Sequence, residues 1–247
     1  MTTAPDPDPF ARHPELREHI GDPLQSFMRG FNTRVLAAKA AEMGAPTGWW
    51  YADDEREALR ARALAGRGDG DLWVFGYGSL MWDPAFLFAE VRRARVPGHA
   101  RRFILKDIYG GRGTAERPGL MAALDVDPRA AQGCEGLAFR IEKDRVEAET
   151  EILWRREQVG PAYTAVFVDA HTAAGPVTAL TFVADHDATL INAGLTRDEQ
   201  VRFLVTGTGF MGTSLDYLRN IARHFDALGI RDDEVADLLR AAEDFRE

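Results

Sequence analysis

The sequence predicts an α+β protein, and three observations carry that expectation. The middle of the chain is a series of short β-rich or apolar runs, LWVFGY, GLMAALDV, GLAFRI, YTAVFVDA and VTALTFVA, bounded by glycine, proline and charged turns. A stretch rich in strong helix formers precedes them, and helix-spaced segments follow them. Strands gathered in the middle and helices gathered at the ends lack the strand–helix alternation of a doubly wound sheet.

Residues 1–10, MTTAPDPDPF, combine prolines and acids and are expected to be disordered. From about Pro14 to Ala65 the chain reads mostly helical, in RVLAAKAAEM and DDEREALRARALA above all. GRGDG, at Gly66 to Gly70, is a cluster of breakers that marks a boundary. It separates a helical N-terminal extension, 1–70, from the main domain, 71–247. Its Arg67-Gly68-Asp69 tripeptide is read as linker and not as an adhesion signal. Between GLAFRI and YTAVFV, the segment KDRVEAETEILWRRE sets Val146, Ile152 and Leu153 among charges, the pattern of a helix packed on a sheet. DEQVRFLVT and SLDYLRNIARHFDALGI are helical as well, the second with an apolar stripe of Leu215, Leu218, Ile221, Ala222 and Phe225. No internal repeat is visible.

Composition narrows the function. A chain of 247 residues, 45% hydrophobic, can bury the core of one domain plus an extension, or of two domains. With 39 acidic against 30 basic residues the net charge of −9 repels phosphate backbones and anionic lipid, so neither nucleic acid nor a membrane is expected as a partner. Cys134 is the only cysteine, which excludes an intramolecular disulfide and a cysteine metal cluster. It is expected to be a small buried residue and not a nucleophile. No basic start followed by an apolar run resembles a secretory signal, and no stretch is long and apolar enough to span a bilayer, so a soluble cytoplasmic protein is expected. The six histidines have no paired metal spacing, and Asp185-His186-Asp187 reads as a polar turn. Gly207-Thr-Gly209-Phe-Met-Gly212 matches the letters of a dinucleotide fingerprint, with Asp232 about twenty residues on, but the segment before it reads helical and no βαβ units surround it. Neither a metal nor a cofactor is expected.

The most informative segment is VFGYGSL, Val74 to Leu80, in which an apolar strand runs into two glycines flanking Tyr77, and then into Ser79. Glycine lets a ligand approach the main chain, and consecutive N–H groups there can form an anion-binding concavity suited to a carboxylate. By residue types alone it is equally an ordinary tight turn.

The wider segment WVFGYGSLMWDP resembles the opening of the ChaC family of γ-glutamylcyclotransferases, where a YGSL loop follows the first strand. GGRGTAERPGLMAALD, GCEGLAFRI, LWRREQVGPAYTAVFV and GTGFMGTSLDYLRNIARHFDALGIRD resemble further segments of that family, in family order over about residues 71–239. The first 70 residues lie outside the core resemblance. The resemblance implies a small γ-glutamylcyclotransferase-like β-barrel flanked by helices, acting on glutathione to give 5-oxoproline and cysteinylglycine. It places the γ-glutamyl group against Val74, Phe75, Gly76, Tyr77, Gly78, Ser79 and Leu80, and it makes Glu157, in the Arg156-Glu157 pair, the essential acid. A Glu beside two arginines is otherwise a surface ion pair of little energetic weight. Tyr217 resembles the tyrosine whose hydroxyl holds the γ-glutamyl group, although the residue before it is Asp216 where the family usually has Glu, and an asparagine common a few residues earlier is replaced within GTSL. Packing of Tyr217 into the helix interface is the other reading. Arg112 is a candidate for pairing with a carboxylate through its planar fork or for bracing a loop, and Tyr163 for walling the pocket or filling the core.

The implied chemistry needs one proton carrier. The α-amine of the γ-glutamyl group loses a proton and attacks its own side-chain carbonyl carbon, so holding a folded conformer supplies much of the acceleration. Glu157 would take that proton and return it to the leaving amine, better so if burial raises its pKa, with Trp154 helping to exclude water. Two alternatives stay open: cyclisation of other γ-glutamyl amino acids or amines, and a non-catalytic γ-glutamyl-binding regulatory protein. In the extension, Trp49, Trp50 and Tyr51 offer apolar area with which to cover the barrel.

Overall fold

Ahead of the first strand, the computed structural model, which describes residues 8–130 and 132–246, has three short 3₁₀ turns, at Pro14–Glu18, Pro23–Gln25 and Phe27–Gly30. Helices α1 (Thr33–Met43) and α2 (Asp53–Leu64) follow. The Asn32 side chain caps α1 by accepting from the amides of Arg34 and Val35, and Gly44 ends it at φ +62°. Three acids, Asp53, Asp54 and Glu55, open α2, where the helix dipole favours them. Of the ten residues expected to be disordered, 1–7 lie outside the described residues. Pro9 and Phe10 are seated on the body: Val91 N donates to Pro9 O at 3.0 Å, and the Phe10 ring meets Phe88 edge-on at 5.7 Å.

The main domain is built on seven strands: β1 (Leu72–Gly76), β2 (Glu90–Val96), β3 (His99–Tyr109), β4 (Thr114–Val126), β5 (Cys134–Ile141), β6 (Tyr163–Thr172) and β7 (Gly175–Ala184). Their order is β1-β5-β2-β6-β7, and β1 pairs again with β7, in parallel through Trp73↔Ala179 and Val74↔Leu180. Five strands therefore close into a small barrel. The long antiparallel hairpin β3–β4 joins it where Leu124 of β4 pairs with Val183 of β7. Strands β2 and β3, which are joined at Pro97-Gly98 but pair with different strands, β2 with β5 and β6 and β3 with β4, are absent from the β-rich runs read in the sequence.

Helix α3 (Val146–Glu157) links β5 to β6, and α4 (Arg197–Thr206), α5 (Ser214–Leu228) and α6 (Asp233–Asp244) close the fold. The stripe expected on α5 is present, and Tyr217, His224 and Leu228 are buried beside Leu218, Ile221 and Phe225. Between α4 and α5 the glycines read as a nucleotide-like motif form a two-residue hairpin, β8 (Thr208–Gly209) with β9 (Gly212–Thr213). Glycine is needed there for a main-chain crossing: a Cβ at Gly209 would sit 2.2 Å from Gly110 O. Cys134 is buried and free, and Asp185-His186-Asp187 is a turn whose His186 meets Asp125 at 2.7 Å. Among the described residues no helix is long and apolar enough to cross a membrane.

Candidate active site

A cavity of about 260 Å³ opens where β1, the β3–β4 hairpin, the end of α3 and the start of α5 converge. Of the residues singled out in the sequence, Tyr77, Gly78, Ser79, Leu80, Arg112, Glu157, Tyr163 and Tyr217 line it. Val74, Phe75 and Gly76 do not. They pair as strand with Phe139, Ala138 and Leu137, and the side chains of Val74 and Phe75 are fully buried in two different core clusters, as successive residues of a strand must be.

The loop after β1 folds into a 3₁₀ turn, Ser79–Met81, with Met81 N donating to Gly78 O at 2.9 Å. The amides of Gly78, Ser79 and Leu80 make no backbone hydrogen bond among the described residues, as expected of the first donors of a helical turn. Two arginines fix this loop. Arg101 Nε donates to Tyr77 O at 2.7 Å from a fully buried position, where it also pairs with Asp232. Arg156 donates to Ser79 Oγ at 2.8 Å and to Asp83 O.

Glu157 is the last residue of α3, and only 15% of its side chain is exposed. Burial raises its pKa above the ordinary 4.5, and the Arg156 guanidinium, with Nε 3.1 Å from Glu157 Oε1, opposes that rise. Trp154 does not line the cavity. It is buried against Phe182 at a centroid distance of 5.2 Å, so the expected water shield comes from other side chains.

Those side chains are three tyrosines. Tyr163 donates to Ala122 O at 3.3 Å and lines the cavity with Tyr77. Tyr217 is 5% exposed, and its hydroxyl sits against the main chain of Gly78, 3.2 Å from where a Cβ would stand. Burial raises the pKa of all three, and the charge of Glu157 adds to that rise. They are neutral hydroxyls at neutral pH, able to donate to an oxyanion or accept from an ammonium. The Arg112 guanidinium lies 4.8 Å over the Tyr217 ring and donates to Thr213 O at 3.1 Å, yet it joins no ion pair among the described residues. A largely buried guanidinium with donors to spare, its charge disfavoured by burial, suits a visiting carboxylate.

Several lining residues escaped the sequence reading. Arg156 was named only as a neighbour of Glu157, although the adjacent pair was itself the signal. Asp107, which lines the cavity and whose carboxylate accepts from the amides of Tyr109 and Arg112 to shape the Gly110–Gly113 turn, carries no motif of its own. Met28, Phe31, Leu36 and Trp49 belong to the N-terminal extension, from which no site residue was expected.

The arrangement brings together two enclosed carboxyls, Glu157 and the turn-shaping Asp107, with a fixed cation beside Glu157, three neutral phenols and a spare guanidinium. It can hold a small anionic molecule and move a proton at one point on it.

The chain is similar to known proteins. The Escherichia coli glutathione-specific gamma-glutamylcyclotransferase is 31% identical over 191 residues, covering 77% of this chain and 80% of that protein. The mouse glutathione-specific gamma-glutamylcyclotransferase 1 is 34% identical over 173 residues, covering 66% and 74%. The crystal structure of the yeast glutathione-specific cyclotransferase, at 21% sequence identity, superposes with a TM-score of 0.64 and covers 98% of that chain and 72% of this one, so the barrel is shared. The ChaC-like protein model matches residues 72–244, which takes in every strand and helix from β1 to α6: the chain is a member of the ChaC family.

Proposed function

We propose that the chain is a γ-glutamylcyclotransferase that converts glutathione to 5-oxoproline and cysteinylglycine, with Glu157 as its proton carrier. The observation that carries the reading is the place of Glu157: an enclosed carboxyl with a raised pKa, in the same cavity as the Gly78–Leu80 amides and Arg112. The relatives' names supply the substrate.

The γ-glutamyl group enters with its α-carboxylate toward Arg112 and the loop amides, which offer fixed donors to its negative charge. Its α-ammonium faces Glu157, which takes one proton. The freed amine attacks the side-chain carbonyl carbon, the new N–C bond closes a five-membered ring, and charge collects on the carbonyl oxygen, where tyrosine hydroxyls can donate. As the tetrahedral centre collapses, its bond to the cysteine nitrogen breaks, Glu157 returns the first proton to that nitrogen, and the second proton left on the ring nitrogen passes by the same carboxyl to the departing amine, which leaves as an ammonium. Atoms balance without water. A raised pKa serves both halves, because the same group must accept and then donate near neutral pH.

The test is to incubate wild type and Glu157→Gln with glutathione and with γ-glutamylalanine and to follow 5-oxoproline and the released amine by mass spectrometry. Turnover of glutathione by wild type, with an inert mutant that still binds, is the expected result. A mutant that retains turnover removes Glu157 from the role, and turnover of γ-glutamylalanine alone makes the chain a cyclotransferase for other γ-glutamyl compounds.

A further inference from the structure

We infer that the N-terminal extension is part of the substrate cavity: Met28, Phe31, Leu36 and Trp49 form the subsite for the side chain of the residue joined to the γ-carboxyl group, and they select a small apolar or thiol-bearing one. The inference rests on the reaction proposed above and adds a second specificity element to it.

All four side chains line the cavity that holds Glu157, and all four precede residue 72, where the match to the family model begins. The wall they make is apolar and aromatic, in contrast to the charged and phenolic end at Glu157 and Arg112. Phe31 stacks on Phe210 of the β8–β9 turn, with centroids 6.5 Å apart and planes 18° from parallel. Trp49 stacks on Tyr109 of β3 at 4.4 Å and 11°. Each therefore joins the extension to residues of the main domain that line the same cavity. A thiol or methyl group is well matched to such a surface, since sulfur and methylene groups pack favourably on aromatic rings, whereas a charged side chain would be stripped of water with no partner there.

The wall is held in place and is not a loose cover. Arg29, between Met28 and Phe31, forms a two-pronged pair with the buried Glu149 of α3, at 2.8 and 2.9 Å, and donates to Ala85 O at 2.9 Å. Tyr51 N donates to Val159 O at 2.9 Å, two residues from Glu157. Gly160 has no side chain where the Trp49 indole lies: a Cβ would stand 3.0 Å from its ring. The segment is thus registered against the residues that follow the proposed proton carrier.

The experiment compares glutathione with γ-glutamylglycylglycine, which differs from it only in lacking the side chain in question. For the full chain and for Phe31→Ala, the ratio of their kcat/KM values is measured on one preparation, so that the fraction of folded protein cancels. Phe31→Leu, which keeps an apolar contact, is the second variant should the alanine fail to fold. The ratio of Kd values is measured in parallel by calorimetry in the Glu157→Gln background. We expect both ratios to shift about tenfold against glutathione in Phe31→Ala and by a smaller factor in Phe31→Leu. Ratios within about twofold of wild type overturn the subsite, whether the individual constants change or not. If wild type binds both compounds and converts neither, the reaction falls and the Kd ratio decides the wall; if it binds neither, both fall.

Discussion

Arg156 donates to the Ser79 hydroxyl at 2.8 Å across 77 positions of sequence, while its Nε lies 3.1 Å from the carboxylate of the next residue, Glu157. One guanidinium thereby ties the loop that follows β1 to the acid that ends α3. Its side chain is 6% exposed, so its charge acts on Glu157 with little screening. The proposed base and the proposed anion-binding loop are consequently held to each other by one side chain.

Replacing Arg156 by methionine should move the acid limb of the pH–rate profile upward. Burial raises the Glu157 pKa and Arg156 lowers it, so removing the cation leaves burial unopposed. In wild type the acid limb of kcat/KM should already lie above the ordinary 4.5. In Arg156→Met it should lie higher still, with kcat/KM at neutral pH reduced about tenfold or more. A limb that stays in place would show that Glu157 is not the group being titrated.

Glu157→Gln should be more stable than wild type at neutral pH. A carboxyl whose folded pKa exceeds its unfolded value binds its proton more tightly in the folded state. Stability is therefore greatest below the unfolded pKa and is lost as pH rises through the folded one. Glutamine never ionises and escapes that loss. Thermal unfolding should show a higher melting temperature at pH 7 to 8, and the gain should shrink toward pH 4. A neutral or negative difference at pH 8 would mean that the ionised carboxylate is well paired.

Much of this site was legible in the sequence through segments that resemble the ChaC family. By residue types alone YGSL reads equally as a tight turn and the Arg156-Glu157 pair as a surface ion pair at a helix end, so the resemblance and not the local pattern singles them out. Strands β2 and β3 were illegible because their residue types point away from a buried sheet. EVRRARV and HARRFILKDIY are loaded with arginines that pattern reading assigns to solvent, yet Arg92 lies 4.4 Å over the Trp73 ring and Arg101 is buried in an ion pair with Asp232. Such side chains are satisfied by partners far along the chain, which no window of sequence contains. The same holds for Trp49. Its apolar area suggested that it covers the barrel, but only the fold places it on Tyr109 and over Gly160, beside the cavity.

Removing the Tyr217 hydroxyl should separate binding from packing. The ring packs beneath Arg112 and near Trp82, at 4.8 and 6.3 Å, and Tyr217→Phe keeps those contacts. The hydroxyl against Gly78 is what disappears. The melting temperature should change by no more than about 2 °C, while kcat/KM for glutathione falls about tenfold or more, the worth of one hydrogen bond to a charged group. Unchanged kinetics would return Tyr217 to the core.

The anchor of the N-terminal segment should be a stability determinant in its own right. Glu149 is 3% exposed and accepts from both prongs of Arg29 and from the Leu87 amide at 2.8 Å. In Arg29→Met the carboxylate keeps one donor and loses its cation, leaving a buried charge without compensation. Loss of one partner of such a pair costs about 3 kcal/mol or more, and urea unfolding should show a loss of that order. The double variant Arg29→Met/Glu149→Gln removes the orphaned charge as well. It should recover part of the loss, because what destabilises the single variant is the carboxylate left behind and not only the absence of the contact. A double variant no more stable than the single one would place the cost in the Arg29 bond to Ala85 O instead, at the turn where Ala85 itself is held at φ +63°.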